Sequence, residues 1–63
     1  MVYVIKKTLN KNGKKSHVFV TNGYSEVLEI KHLNIANKFA EVMNENSDNG
    51  CFYEVLPIAE NSN

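Results

Sequence analysis

The chain contains no arginine, one cysteine (Cys51), one proline (Pro57) and no acidic residue before Glu26. Without arginine, the bidentate guanidinium contacts that dominate base readout in the major groove are missing, so any nucleic-acid binding must be mainly electrostatic. A lone cysteine cannot supply the paired staples of a small secreted domain and fits a reducing compartment. The N-terminal apolar run, Met1–Ile5, is too short for a signal peptide or a membrane span. A cytoplasmic location and no membrane partner are therefore expected.

What is present is the composition of one globular domain. The chain has 63 residues, 43% of them hydrophobic and 22% charged. A chain this short buries only about 60% of the surface its unfolded form exposes, which leaves a thin core and no room to enclose a substrate. Function is expected on an outer surface. The formal net charge is zero, but it is unevenly distributed. Residues 1–22 hold Lys6, Lys7, Lys11, Lys14 and Lys15, whereas residues 23–63 hold two lysines against seven acids. A dipolar surface results if the fold keeps the two halves apart.

Every glycine comes directly after an asparagine, in Asn12-Gly13, Asn22-Gly23 and Asn49-Gly50. Asn-Gly suits turns with positive φ at both central residues, so these pairs punctuate the chain. The β-branched and aromatic stretch 2–9 predicts a first strand, then a polar loop over 10–15. Residues 16–21 predict a second strand, Asn22-Gly23 a two-residue hairpin turn, and 24–30 a third strand returning antiparallel to the second. The period then changes. Leu33, Ile35, Ala36, Phe39, Ala40, Val42 and Met43 share one half of a helical wheel, an amphipathic helix starting near His32 or Leu33 with His32 or Asn34 as cap. It ends through Asn46-Ser47-Asp48 at Asn49-Gly50. A last strand covers 51–58, with Pro57 at an edge or a strand end. The expected fold is α+β: an antiparallel sheet of three to four strands with one helix packed on one face, in the order β-β-β-α-β. Residues 1–58 form the domain and 59–63 a polar tail.

One helix can cover only one face of such a sheet. If Val2, Val4, Val18, Val20, Leu28, Ile30, Tyr53 and Val55 face the helix, then Tyr3, Ile5, Phe19, Val27, Phe52 and Leu56 face away. That second face is a candidate docking surface for a partner or a second copy. Lys6, Lys7, Lys11, Lys14 and Lys15 are candidates for phosphate contact. Glu26, Glu29, Glu41, Glu45, Asp48 and Glu54 could present an acidic surface to a basic partner. Scattered exposed hydrophobes, a solvated lysine loop and ordinary surface acids are the plain alternatives.

Catalytic and metal motifs fail. Gly13-Lys14-Lys15-Ser16 lacks the upstream glycine, the residue order and the downstream helix of a phosphate-binding loop. His17, His32 and Cys51 match no zinc-ligand spacing and lack a fourth ligand. A nucleophilic pairing of Cys51 with either histidine has no orienting residue and no oxyanion hole. No enzyme activity, cofactor or metal is expected.

The segments Met1-Val2-Tyr3-Val4-Ile5-Lys6-Lys7, Ile35-Ala36-Asn37-Lys38-Phe39-Ala40-Glu41 and Tyr53-Glu54-Val55-Leu56-Pro57-Ile58 resemble, in pattern, small accessory proteins encoded by phages and prophages of low-GC Gram-positive bacteria. The likeness spans residues 1–58 and contains no diagnostic motif, so it transfers no functional residue. It implies a host-takeover or anti-defence role in which the protein binds and blocks one bacterial host protein, as anti-CRISPR proteins do. Two other functions stay open: a weak, electrostatic nucleic-acid-binding sheet that uses the N-terminal lysines, and a homodimer whose open faces pack together.

Overall fold

The computed structural model describes residues 1–47 and 50–59. Strand β1 spans Val2–Lys11, β2 spans Lys14–Phe19, helix α1 spans Leu33–Glu45 and β3 spans Cys51–Ile58. The three strands form one antiparallel sheet in the order β2-β1-β3. With the helix on one face, the fold is α+β. Asp48, Asn49 and residues 60–63, expected in the helix exit and the tail, lie outside the described residues.

The β1–β2 connection is tighter than the expected six-residue loop. The strands run to Lys11 and restart at Lys14, leaving Asn12 (φ 54°) and Gly13 (φ 79°) as the two-residue turn. Positive φ at both positions is the type I′ geometry that matches the twist of the flanking strands. The second Asn-Gly pair behaves differently. Asn22 uses its side chain, accepting hydrogen bonds from the backbone N–H groups of Tyr24 (2.7 Å) and Glu26 (3.2 Å). The positive φ falls on Ser25 instead (63°). The side-chain acceptor competes with the tight hairpin, and a five-residue loop closes between Thr21 and Val27, which bridge each other. The strand expected over 24–30 is reduced to an extended, bridged segment. Leu28 donates to Val20 O (2.9 Å), and Ile30 exchanges two backbone bonds with Tyr3 (2.7 and 2.8 Å). This segment holds the third place in the β-β-β-α-β order and covers the edge of β1 that β2 leaves bare.

Strand side chains alternate between faces. The register Ile5↔Val55 and Lys7↔Tyr53 places Tyr3, Ile5 and Lys7 on the same face as Tyr53 and Val55. That face meets the helix: Ile5, Ile30 and Ala36 form the buried cluster, with Tyr3, Val20, Leu28, Met43, Tyr53 and Val55 packed around it. Val2, Val4, Lys6 and Thr8 therefore lie on the opposite face with Phe19, Phe52, Glu54 and Leu56, their cross-strand partners or neighbours. Val2 and Val4 are buried there all the same, on the central strand. The expected assignment of β1 is thus inverted. Both alternating sets of its first half are apolar, so periodicity could not choose between them.

His32 is the N-cap, with extended backbone, but its side chain makes no capping bond. The C-terminus is closed by Asn46, whose Nδ2 donates to Val42 O (2.8 Å), and by Ser47, whose Oγ donates to Asn44 O (3.1 Å). Asn44 has a further role. Its Nδ2 donates to Tyr53 O (2.9 Å) and its Oδ1 accepts from Tyr53 N–H (2.8 Å). Tyr53 sits on the outer edge of β3, and the amide side chain pairs with that edge as an adjacent strand would. This clamp ties α1 to the sheet. Asn44→Ala is expected to cost about 1–2 kcal/mol, because two bonds go and Tyr53 must be resolvated. A chemical-denaturation midpoint equal to that of the parent protein would refute it.

Candidate docking and charge surfaces

The first half of β1 gives up two of the six candidate docking residues. Ile5 is 0% exposed and Tyr3 packs against the buried cluster. Phe19, Phe52 and Leu56 do lie on the helix-free face of the sheet, and Val27 is exposed on the bridged segment. On that face Phe19 stands directly across from Lys6, and Phe52 directly across from Thr8. Phe19 is 46% and Phe52 55% exposed. His17, on the other side of Thr8, receives or donates a 3.1 Å hydrogen bond between its Nδ1 and Thr8 Oγ1.

A second apolar surface lies on the helix. Periodicity groups all seven apolar helix residues as one core-facing half, yet only Ala36 and Ala40 are buried. The small side chains let the helix lie close to β1 and β3. Ile35, Phe39 and Val42, spaced at i, i+4 and i+7, fall on a flank rotated away from that contact and are each more than 40% exposed. With Asn34 and Lys38 they line a shallow apolar groove. On the other side of the helix contact, Met43 and Tyr53 line a cleft with Val18, Val20 and Lys7, above the part of β2 that α1 does not reach. The signal in the sequence is the order of sizes: alanines at 36 and 40, bulky residues at 35, 39 and 42.

The five candidate lysines separate. Lys6 Nζ is 3.0 Å from Glu54 Oε1, directly across the β1–β3 ladder. Lys7 Nζ lies 5.8 Å from the centroid of the Tyr53 ring, in cation–π range. Lys11, Lys14 and Lys15 cluster at the hairpin tip, where Lys11 and Lys14 are directly paired. Every residue from Asn10 to Phe19 is exposed, and the molecule is elongated, 43 × 21 × 21 Å.

The acids spread over three elements. Glu26 and Glu29 lie on the bridged segment and, with Asn22, line a polar recess. Glu41 and Glu45 lie on α1, with Glu41 3.9 Å from Lys38. Glu54 is held by Lys6, and Asp48 lies outside the described residues. Cys51, half-buried, has a free thiol. Among the described residues no three metal-ligating side chains converge, and no helix is long and apolar enough to cross a membrane.

No family model matches the chain, and neither a curated protein nor a solved structure matches it significantly.

Proposed function

We propose that this chain is a non-enzymatic binding protein that docks on a partner protein through the outer flank of α1. The observation that carries the reading is the exposure of Ile35, Phe39 and Val42. Fully burying such a side chain is worth about 1.5–3 kcal/mol. A domain of this size has only about 3–5 kcal/mol in hand. A helix that spends its alanines on the core and leaves three large residues half in water forgoes a sizeable share of that stability. An apolar i, i+4, i+7 row is the pattern by which helices engage protein grooves.

The resemblance to phage accessory proteins supplies the class of partner: a bacterial host protein in the cytoplasm, bound stoichiometrically and thereby blocked or redirected, as in anti-defence and anti-CRISPR action. Lys38 lines the groove and pairs with Glu41 at 3.9 Å, so the rim presents both signs of charge to that partner.

The test compares the parent protein with Phe39→Glu. Phe39 is half-exposed, so the variant is expected to change stability by less than about 1 kcal/mol. The parent should form a saturable one-to-one complex with one bacterial protein, and Phe39→Glu should weaken it at least about thirty-fold, as for an anchor worth 2 kcal/mol or more. Two results would sink the reading. One is an apparent mass that rises with concentration in the parent and not in the variant, which assigns the row to a second copy. The other is a complex that Phe39→Glu leaves intact.

A further inference from the structure

We propose that the helix-free face of the sheet binds single-stranded nucleic acid, with Phe19, Phe52 and His17 stacking bases, Lys15 contacting phosphates from the same face, and Lys11 and Lys14 adding positive charge from the other side of the hairpin tip. This site lies on the opposite side of the sheet from the α1 flank and does not depend on it.

Four features of that face and of the hairpin tip beside it combine. First, it carries three ring side chains, all exposed: His17 and Phe19 on β2, and Phe52 on β3. Strand alternation spaces Lys15, His17 and Phe19 along one side of β2 at about 7 Å per step. Phe52 stands across β1 in the row of Thr8 and His17. The rings thus form a platform that leads away from the lysine-rich tip. Exposed aromatics on a sheet, beside a basic track, are how proteins hold unpaired bases without reading their hydrogen-bonding edges. This mode needs no arginine fork, so the composition of the chain does not count against it.

Second, the tip is purely basic. Lys15 lies on the platform's face, whereas Lys11 and Lys14 face each other directly across the hairpin on the opposite face, an arrangement that destabilises a sheet by like-charge repulsion. The three lysines have no acidic neighbour within β1 or β2. A phosphate backbone crossing the tip at Lys15 lowers the positive potential that all three lysines share. Third, the one acid in the three strands, Glu54, is neutralised on this face by Lys6 at 3.0 Å. The face is therefore not repulsive to phosphate.

Fourth, the shape favours a single strand over a duplex. In a duplex the bases are already stacked on one another and present only edges, so Phe19, His17 and Phe52 would have no ring to meet. A single strand can lay phosphates at the tip and splay bases over the platform.

The probes are a fluorescein-labelled oligothymidylate and a duplex of the same length, measured by anisotropy at low and physiological ionic strength. The parent protein should bind the single strand more tightly than the duplex. Phe52→Leu and Phe19→Leu, which keep an apolar side chain but remove the π face, should each weaken single-strand binding at least about five-fold. Phe52→Tyr should retain it. Lys14→Glu with Lys15→Glu should flatten the salt dependence by up to about 1.4 in log–log slope, the value for two lost phosphate contacts on a single strand. Unchanged circular dichroism and melting in the leucine variants keeps the reading clear of folding effects. The proposal is overturned if no probe is retained at low salt, if the leucine variants bind as the parent does, if the duplex binds as well as the single strand, or if anionic phospholipid vesicles bind and the oligonucleotide cannot compete.

Discussion

Ile5→Ala should be among the most damaging single truncations in this protein, lowering its stability by about 3 kcal/mol, within the range of 2–5 kcal/mol for truncating a buried isoleucine. Ile5 is 0% exposed, and its cluster partners Ile30 and Ala36 come from the bridged segment and from the helix. The backbone there is pinned on both sides: Val20 N–H donates to Ile5 O (2.9 Å), and Val55 lies directly opposite in the β1–β3 ladder. The site cannot collapse easily around the lost atoms, so a cavity remains. Against a total of about 3–5 kcal/mol, the variant should keep only about 0–2 kcal/mol, so that a measurable fraction is unfolded even without denaturant. Urea denaturation monitored by circular dichroism provides the measurement. The opposite facing of β1, with Ile5 turned to solvent, would instead leave the variant within about 1 kcal/mol of the parent, as for surface substitutions in general.

The second large effect is at Gly50. Its φ is +93°, and a Cβ built there would stand 2.9 Å from the carbonyl oxygen of Asn10. That oxygen cannot retreat cheaply, because Asn10 N–H donates to Gly50 O at 2.8 Å and holds the two backbones together. Gly50→Ala therefore meets both a dihedral cost of about 1–2 kcal/mol and a backbone collision, and a loss of about 2–3 kcal/mol is expected. Gly13 separates the two contributions. Its φ is +79°, but nothing lies within 4 Å of its Cβ position. Gly13→Ala should show the dihedral cost alone. Thermal unfolding of both variants tests this: about 1 kcal/mol corresponds to roughly 4–8 °C for a domain of this size. Equal melting temperatures for the two variants would mean that the approach of Asn10 to Gly50 contributes nothing.

The Asn-Gly pairs at 12–13 and 22–23 show how far local sequence reaches. Asn12-Gly13 lies between two strands that pair directly up to the turn, and it forms the type I′ geometry its chemistry favours. Asn22-Gly23 has the same two residues, but Asn22 Oδ1 captures the N–H groups of Tyr24 and Glu26 and turns the chain differently. The dipeptide specifies that the chain reverses. Whether the asparagine side chain or the backbone makes the bonds depends on the downstream residues, here a segment drawn onto Tyr3 by long-range pairing.

The candidate sites are legible in the sequence to differing degrees. The lysine tip can be read directly, since three of its lysines sit within five residues of sequence and a hairpin keeps them together. The separation of Lys6 and Lys7 from that group cannot, because Glu54 and Tyr53 come from a strand more than forty residues away. Periodicity places Asn44 on the solvated helix face. It is instead a fixed bond to a strand edge, and only the docking of the helix over β3 brings that edge within reach.

The sequence alone specifies an α+β domain with a helix near 33–45, strands flanking it, lysines gathered near the N-terminus and no arginine to support specific base readout. These properties arise from periodicity, turn chemistry and composition, all of them local. The tertiary structure decided which face each strand turns towards the helix. On β1 it chose Tyr3 and Ile5 over Val2 and Val4, because the partner that distinguishes two apolar sets is the helix, and the helix is remote in sequence. On α1 it chose the alanines for the core, because close approach to a short twisted sheet favours small side chains. The two surfaces proposed for binding, the Ile35–Phe39–Val42 flank and the Phe19–His17–Phe52 platform, are what those two choices left outside.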